Sequence, residues 1–169
     1  MVRVLITVAS RHGATGDIGK AIATALADEG IESEMQPPEE VQAIDGFDAA
    51  VIGSGVYAGH WLKPARQFVE HHAATLRRRS VWLFSSGPLG DPLAPKDEPV
   101  DVAALVEIAG ARGHRIFAGR LASDGLSFGE RALVKIVRAP YGDYRDWPEI
   151  AEWAREIAGN LRAAAPAGR

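Results

Sequence analysis

The stretch VRVLITVASRHGATGDIGKAIATALADEG, residues 2–30, decides the fold. Residues 2–9 are a short apolar run that reads as a buried strand. Residues 15–29 set Ile18, Ile22, Ala25 and Leu26 at helical spacing, and Gly30 reads as the stop. Between them lies Ser10-Arg11-His12-Gly13-Ala14-Thr15. Gly13 permits a tight turn, Ser10 and Thr15 offer hydroxyls, and a helix N-terminus offers free N–H groups with a partial positive charge. Together these suit a phosphate. They equally suit an ordinary strand–helix turn with Thr15 as the N-cap. The loop is neither a Walker A motif nor the G-x-G-x-x-G dinucleotide fingerprint.

Working outward, strand and helix patterns alternate. Residues 31–36, 48–54, 80–86 and 114–120 read as strands. Residues 63–77 form a helix with Pro64 in its first turn, where a missing N–H costs little. Residues 100–112 form another, ended by Gly113. Residues 147–163 form a last one, with Trp147, Ile150, Trp153, Ala154, Ile157 and Leu161 along one side. Pro37-Pro38 breaks the chain before one helical turn at 39–44, and 121–146 is the least regular part. Five strands alternating with helices imply an α/β three-layer sandwich around a parallel sheet. Right-handed crossovers favour the strand order 2-1-3-4-5, with a ligand at the switch point between the first and third strands. One domain over 1–163 is expected, with 164–169 as a frayed tail.

Composition narrows the chemistry. The chain has 169 residues, and its lack of cysteine excludes disulfides, a thiol nucleophile and thiolate-held metals. A net charge of −3 argues against a nucleic-acid partner. No run of about 18–20 apolar residues appears, and no signal peptide is visible, so the cytoplasm is the expected compartment.

Two further loops follow strand ends. Gly53-Ser54-Gly55-Val56-Tyr57-Ala58-Gly59-His60-Trp61 combines small residues, which let a ligand approach the backbone, with two flat aromatic faces. Alternatively, the aromatics pack the helix at 63–77. Ser85-Ser86-Gly87-Pro88-Leu89-Gly90 could offer N–H groups to a heterocycle, although Gly-Pro loops are common. A phosphate cradle, an aromatic loop and a polar glycine loop after the first, third and fourth strands make the layout of a mononucleotide site.

Three segments, ASRHGATGDIGKAIA, FDAAVIGSGVYAGHWLKPARQFV and DYRDWPEIAEWAREIA, carry a resemblance to the flavodoxin-like family. It is sharpest to the branch of flavodoxin-type, quinone-dependent protoporphyrinogen oxidases and their relatives. The resemblance implies a flavodoxin-like fold and non-covalently bound FMN. Ser10, Arg11, His12, Gly13, Ala14 and Thr15 would surround its phosphate. Tyr57, Ala58 and Gly59, with Ser85, Ser86 and Gly87, would flank the isoalloxazine. It also implies a redox substrate and a quinone or protein electron acceptor. Two features depart from the pattern. Arg11-His12 stands where flavodoxins carry small uncharged residues, and the segment before the last helix is shorter than in the known oxidases.

Within 126–139, Arg131, Lys135 and Arg138 interleave with apolar residues. This basic amphipathic stretch could touch the inner face of a membrane peripherally, or pack on the body with a solvated basic face. Asp146 reads as an N-cap, giving 142–147 a structural part. His71-His72 point about 100° apart on a helix and make no metal pair. A phosphorelay receiver would need acidic residues where Ser10-Arg11 and Ser54-Gly55 stand. The leading expectation is an FMN-dependent oxidoreductase, with no protein acid or base identified. A small electron-carrying flavodoxin and a flavodoxin-like binding module without flavin are the alternatives.

Overall fold

The computed structural model describes residues 1–87, 98–121 and 142–165. The basic stretch at 126–139, the loop residues 88–97 and the chain end from 166 lie outside the described residues. Strand β1 (Arg3–Ala9) leads into helix α1 (Ala14–Asp28), then β2 (Glu32–Gln36) and β3 (Ala49–Tyr57). A short β4 (His60–Trp61) precedes α2 (Lys63–His71), α3 (Ala73–Leu76) and β5 (Ser80–Ser86). Helix α4 (Val102–Ala109), β6 (Gly113–Phe117), β7 (Arg120–Leu121), β8 (Gly142–Asp143) and α5 (Trp147–Ala164) complete the described part.

The main sheet runs β2-β1-β3-β5-β6, all parallel, with β4 folded back antiparallel on β3. Counting only the parallel strands, this is the expected order 2-1-3-4-5. Alternation along β1 supplies both faces. Val4, Ile6 and Val8 meet Ile18, Ile22 and Leu26 of α1 and Ile150, Trp153 and Ile157 of α5. Leu5 and Ala9 meet Phe68, Val69, Leu76 and Leu105 on the other side. From Ile150 on, the buried face of α5 is the one its periodicity marks, but Trp147, expected on that side, is exposed and lies under the Arg145 guanidinium. Asp146 caps that helix, accepting the Glu149 N–H at 3.0 Å.

Several boundaries differ from the sequence expectation. The strand expected at 48–54 runs on to Tyr57 because β4 pairs with its end. The helix expected over 63–77 breaks at His72, whose backbone leaves helical geometry at φ −98° and ψ 12°. Residues 38–40 make turns rather than the expected helical turn at 39–44. Gly110, not Gly113, ends α4. It takes φ 63°, and the Ala111 N–H reaches back to the Val106 carbonyl at 2.9 Å. Gly30 ends α1 the same way at φ 74°, with Ile31 N–H bonding Leu26 O at 2.9 Å. The strand expected at 114–120 is two pieces, β6 and β7, and β7 pairs with β8.

Candidate functional site

The parallel register lines up three loops at the carboxyl edge of the sheet. Ala9 pairs with Ser54, Ser54 with Ser85, and Gly55 with Ser86. Loops 10–15, 57–59 and 85–87 therefore leave three adjacent strands side by side, and the first two flank the switch point.

The first loop turns at Gly13, which takes φ 84° and serves as the N-cap of α1 with no side-chain cap. The expected Thr15 cap is corrected: Thr15 is buried within the first turn, because Gly13 starts the helix earlier. Ser10 Oγ accepts the Gly13 N–H at 3.0 Å and fixes the curl of the loop. The amides of Ala14, Thr15 and Gly16 precede the i→i−4 ladder, whose first bond runs from Asp17 N–H to Gly13 O at 3.0 Å. A Cβ placed at Gly13 or Gly16 would meet nothing within 4 Å, so the loop has open space at the positive end of the helix. Three amides, a hydroxyl and that space fit a phosphate group.

The second loop is a two-residue hairpin. Tyr57 pairs with His60, and Ala58 and Gly59 between them take φ 49° and 79°. Positive φ at both central positions is the type I′ pattern that suits the twist of paired strands. Buried Ser54 braces it, its Oγ donating to Gly55 O at 2.8 Å and accepting Leu62 N–H at 2.9 Å. The aromatic pair divides. Tyr57 is 37% exposed and carries the Arg11 guanidinium 4.3 Å above its ring, so it links the first two loops. Trp61 is only 1% exposed, although it is among the residues lining the cleft beside the hairpin, which corrects the reading of two exposed stacking platforms. A cleft of 500 Å³ lined by Arg11, Tyr57, His60, Lys63 and Arg66 opens beside the hairpin.

The third loop begins at Ser85, whose hydroxyl faces inward. Trp61 Nε1–H donates to Ser85 Oγ at 2.7 Å, and Ser85 Oγ lies 2.7 Å from His114 Nε2. His114 Nδ1 lies 3.2 Å from Glu98 Oε1. The Glu98 carboxylate can only accept, so neutral His114 carries its proton on Nδ1 and donates to Glu98, and the Ser85 hydroxyl, accepting from the indole, donates to Nε2. Burial lowers the His114 pKa below its ordinary value, opposed by the Glu98 carboxylate. Ser85 therefore spends its side chain on the protein and presents only backbone at this edge. Ser86 is buried as well, and the Gly87 N–H bonds Phe117 O at 2.8 Å. The loop after residue 97 is pinned to the hairpin. Val100 N–H bonds Gly59 O at 2.9 Å, and Asp101 accepts the Trp61 N–H at 3.3 Å through both oxygens.

Sequence reasoning missed His114 and Asp101 at this edge, and gave Arg145 only a structural part within 142–147. His114 and Asp101 carry no local motif, since each acts across the fold. Among the described residues no group of acidic, His or Cys side chains could hold a metal ion. No described helix is long and apolar enough to cross a membrane.

A family model described as a flavodoxin domain matches residues 5–147. Proteins of Escherichia coli strains K12 and O157:H7, each named protoporphyrinogen IX dehydrogenase (quinone), are 22% identical over 172 residues. These alignments cover 93% of this chain and 95% of each relative. Among solved structures, a flavodoxin from the domain Archaea is similar at a TM-score of 0.66 and 16% identity, covering 95% of this chain and 99% of that one. The flavodoxin of Streptococcus pneumonia TIGR4 is similar at 0.60 and 18% identity, covering 97% of this chain and 100% of that one. The rubredoxin oxygen:oxidoreductase of Desulfovibrio gigas reaches 0.64 at 14% identity, with 96% of this chain aligned to 37% of that one.

Proposed function

Because this chain belongs to the flavodoxin domain family, we propose that it binds FMN non-covalently and acts as a flavodoxin-type oxidoreductase with a quinone as electron acceptor. The observation that carries this reading is the uncapped, glycine-headed start of α1 beside the exposed Tyr57 hairpin, on adjacent strands of one sheet edge. Ser10, Arg11, His12, Gly13, Ala14 and Thr15 hold the phosphate. Tyr57, Ala58 and Gly59 flank the isoalloxazine on one side, and Ser85, Ser86 and Gly87 approach it through backbone.

Bound there, FMN supplies reversible two-electron chemistry that side chains lack. The chain's own work is to bind and orient. Ser10 fixes the loop whose amides face the phosphate, and Arg11 adds a guanidinium suited to it. Arg11 stacks on the half-exposed Tyr57 ring and so ties the phosphate loop to the hairpin. Ser54, Asp101 and the Val100–Gly59 bond hold the hairpin at a fixed distance from β5. The names of the Escherichia coli relatives support quinone as acceptor and a porphyrinogen as the class of reduced substrate.

The test loads the protein with FMN, reduces it anaerobically by light, and mixes it with a water-soluble quinone under a visible spectrometer. The expected result is prompt return of the oxidised flavin spectrum, with quinol formed in equal amount. Reduced protein that stays reduced over minutes in excess quinone contradicts the acceptor assignment.

A further inference from the structure

Arg145 lies two residues past β8, on the approach to α5, and its side chain is only 7% exposed. All three guanidinium nitrogens are engaged. Nε and Nη2 grip the two carboxylate oxygens of Asp143 at 2.8 and 2.7 Å. Nη1 reaches across 131 and 128 positions of sequence to Ala14 O and Asp17 Oδ2, each at 3.3 Å. The face of the group lies 4.6 Å over the Trp147 ring. The pairing holds Asp143 below the usual carboxylate range and Arg145 above its own, chiefly through their shared hydrogen bonds.

Both distant partners belong to the first turn of α1. Ala14 is one of the residues whose amide faces the loop opening. Asp17 puts a carboxylate beside the positive end of the helix, where it suits the helix dipole but repels any second anion. Lys20 Nζ approaches Asp17 at 3.5 Å from an exposed position and screens it weakly. Four of the five guanidinium N–H groups are engaged by Asp143, Ala14 and Asp17, so its bonds to the helix start run to Ala14 and Asp17.

We propose that Arg145 is a positioning residue for phosphate recognition: it fixes the first turn of α1 from across the fold and, shared between Asp143 and Asp17, offsets part of the Asp17 charge that would otherwise repel the phosphate. The inference rests on the FMN reading above. It adds a residue of the 142–147 segment, which sequence alone gave only a structural part.

FMN and riboflavin differ by the phosphate, so their affinities separate this role from general loosening. The experiment titrates each flavin by fluorescence quenching into the wild type, R145Q, R145K, D17N and the D17N/R145Q double variant. R145Q is expected to weaken FMN roughly tenfold, with riboflavin shifted by less than about twofold. R145K recovers only part of the loss, because an ammonium cannot span Asp143, Asp17 and Ala14 as a planar fork does. D17N binds FMN as well as the wild type or better, and D17N/R145Q regains part of what R145Q lost, since Asp143 and Ala14 stay without the guanidinium. Equal loss of FMN and riboflavin affinity in R145Q would overturn the proposal, as would no loss at all. If R145Q does not fold, weakened FMN binding in D17N overturns it on its own. A wild type that quenches neither flavin defeats the underlying FMN reading instead, and is thereby distinguished.

Discussion

Phe84 shows how closely single residues set this interior. Its ring packs 5.9 Å from Phe117 and 6.0 Å from Trp153, centroid to centroid. Such aromatic clusters contribute about 0.5–1.5 kcal/mol per pair beyond buried area. The ring fits because its neighbour in register is Gly53: a Cβ there would lie 2.1 Å from Phe84 Cζ. Gly53→Ala is therefore expected to cost about 2 kcal/mol or more, and to lower Tm on the order of 5 °C, measured by circular dichroism melts. A variant melting within one degree of the wild type contradicts this packing. The sequence offered Gly53 as a small residue for a ligand, and the structure assigns it to the core. Trp61 misled in the same way. It joins the apolar core with its indole N–H donated to Ser85, 24 positions away, and no local pattern announces such a partner. Gly13 was legible as a turn residue because the turn it occupies needs a positive φ.

At the scale of elements, the carboxyl edge is held together by one polar chain. Trp61 of β4, Ser85 of β5, His114 of β6 and Glu98 before α4 join end to end. Burial makes charging His114 unfavourable in the fold, so its pKa lies below 6.5 there. The unfolded chain then binds its proton first as pH falls. The stability tied to neutral His114 is complete above about pH 6.5 and is lost as pH drops from there towards the lower folded value. His72, lowered chiefly by burial, loses stability in the same direction. Melts at pH 7.5 and 5.5 are expected to show a fall in Tm for the wild type. His114→Asn should melt lower at pH 7.5 but with a smaller fall. Parallel falls in both proteins would remove His114 from the account. Element boundaries were less legible than the elements. The sequence reading places the stop at Gly113, whereas Gly110 ends the helix. The choice falls to Gly110 because the Arg112 N–H bonds Val81 O at 2.7 Å and draws the following residues into β6. Nothing near His72, neither proline nor glycine, marks the break between α2 and α3.

For the whole molecule, the order β2-β1-β3-β5-β6 follows from alternating short apolar strands and amphipathic helices, joined by crossovers of one hand. That regularity is what made the fold and the three loops readable. Contacts that cross the fold, such as Arg145 with Ala14, have no such regularity and had to be seen. The same topology sets the two central loops on either side of the switch point, and so ties the fold to the claim that this edge binds FMN. A ligand bound only by the folded chain raises its stability by about 2.7 kcal/mol at one hundred times its dissociation constant. The most direct measurement is the visible absorbance spectrum of purified protein mixed with excess FMN and passed through a desalting column. The account predicts that the flavin bands elute with the protein near one flavin per chain. Colourless protein, with all the flavin retained in the small-molecule fraction, would contradict it.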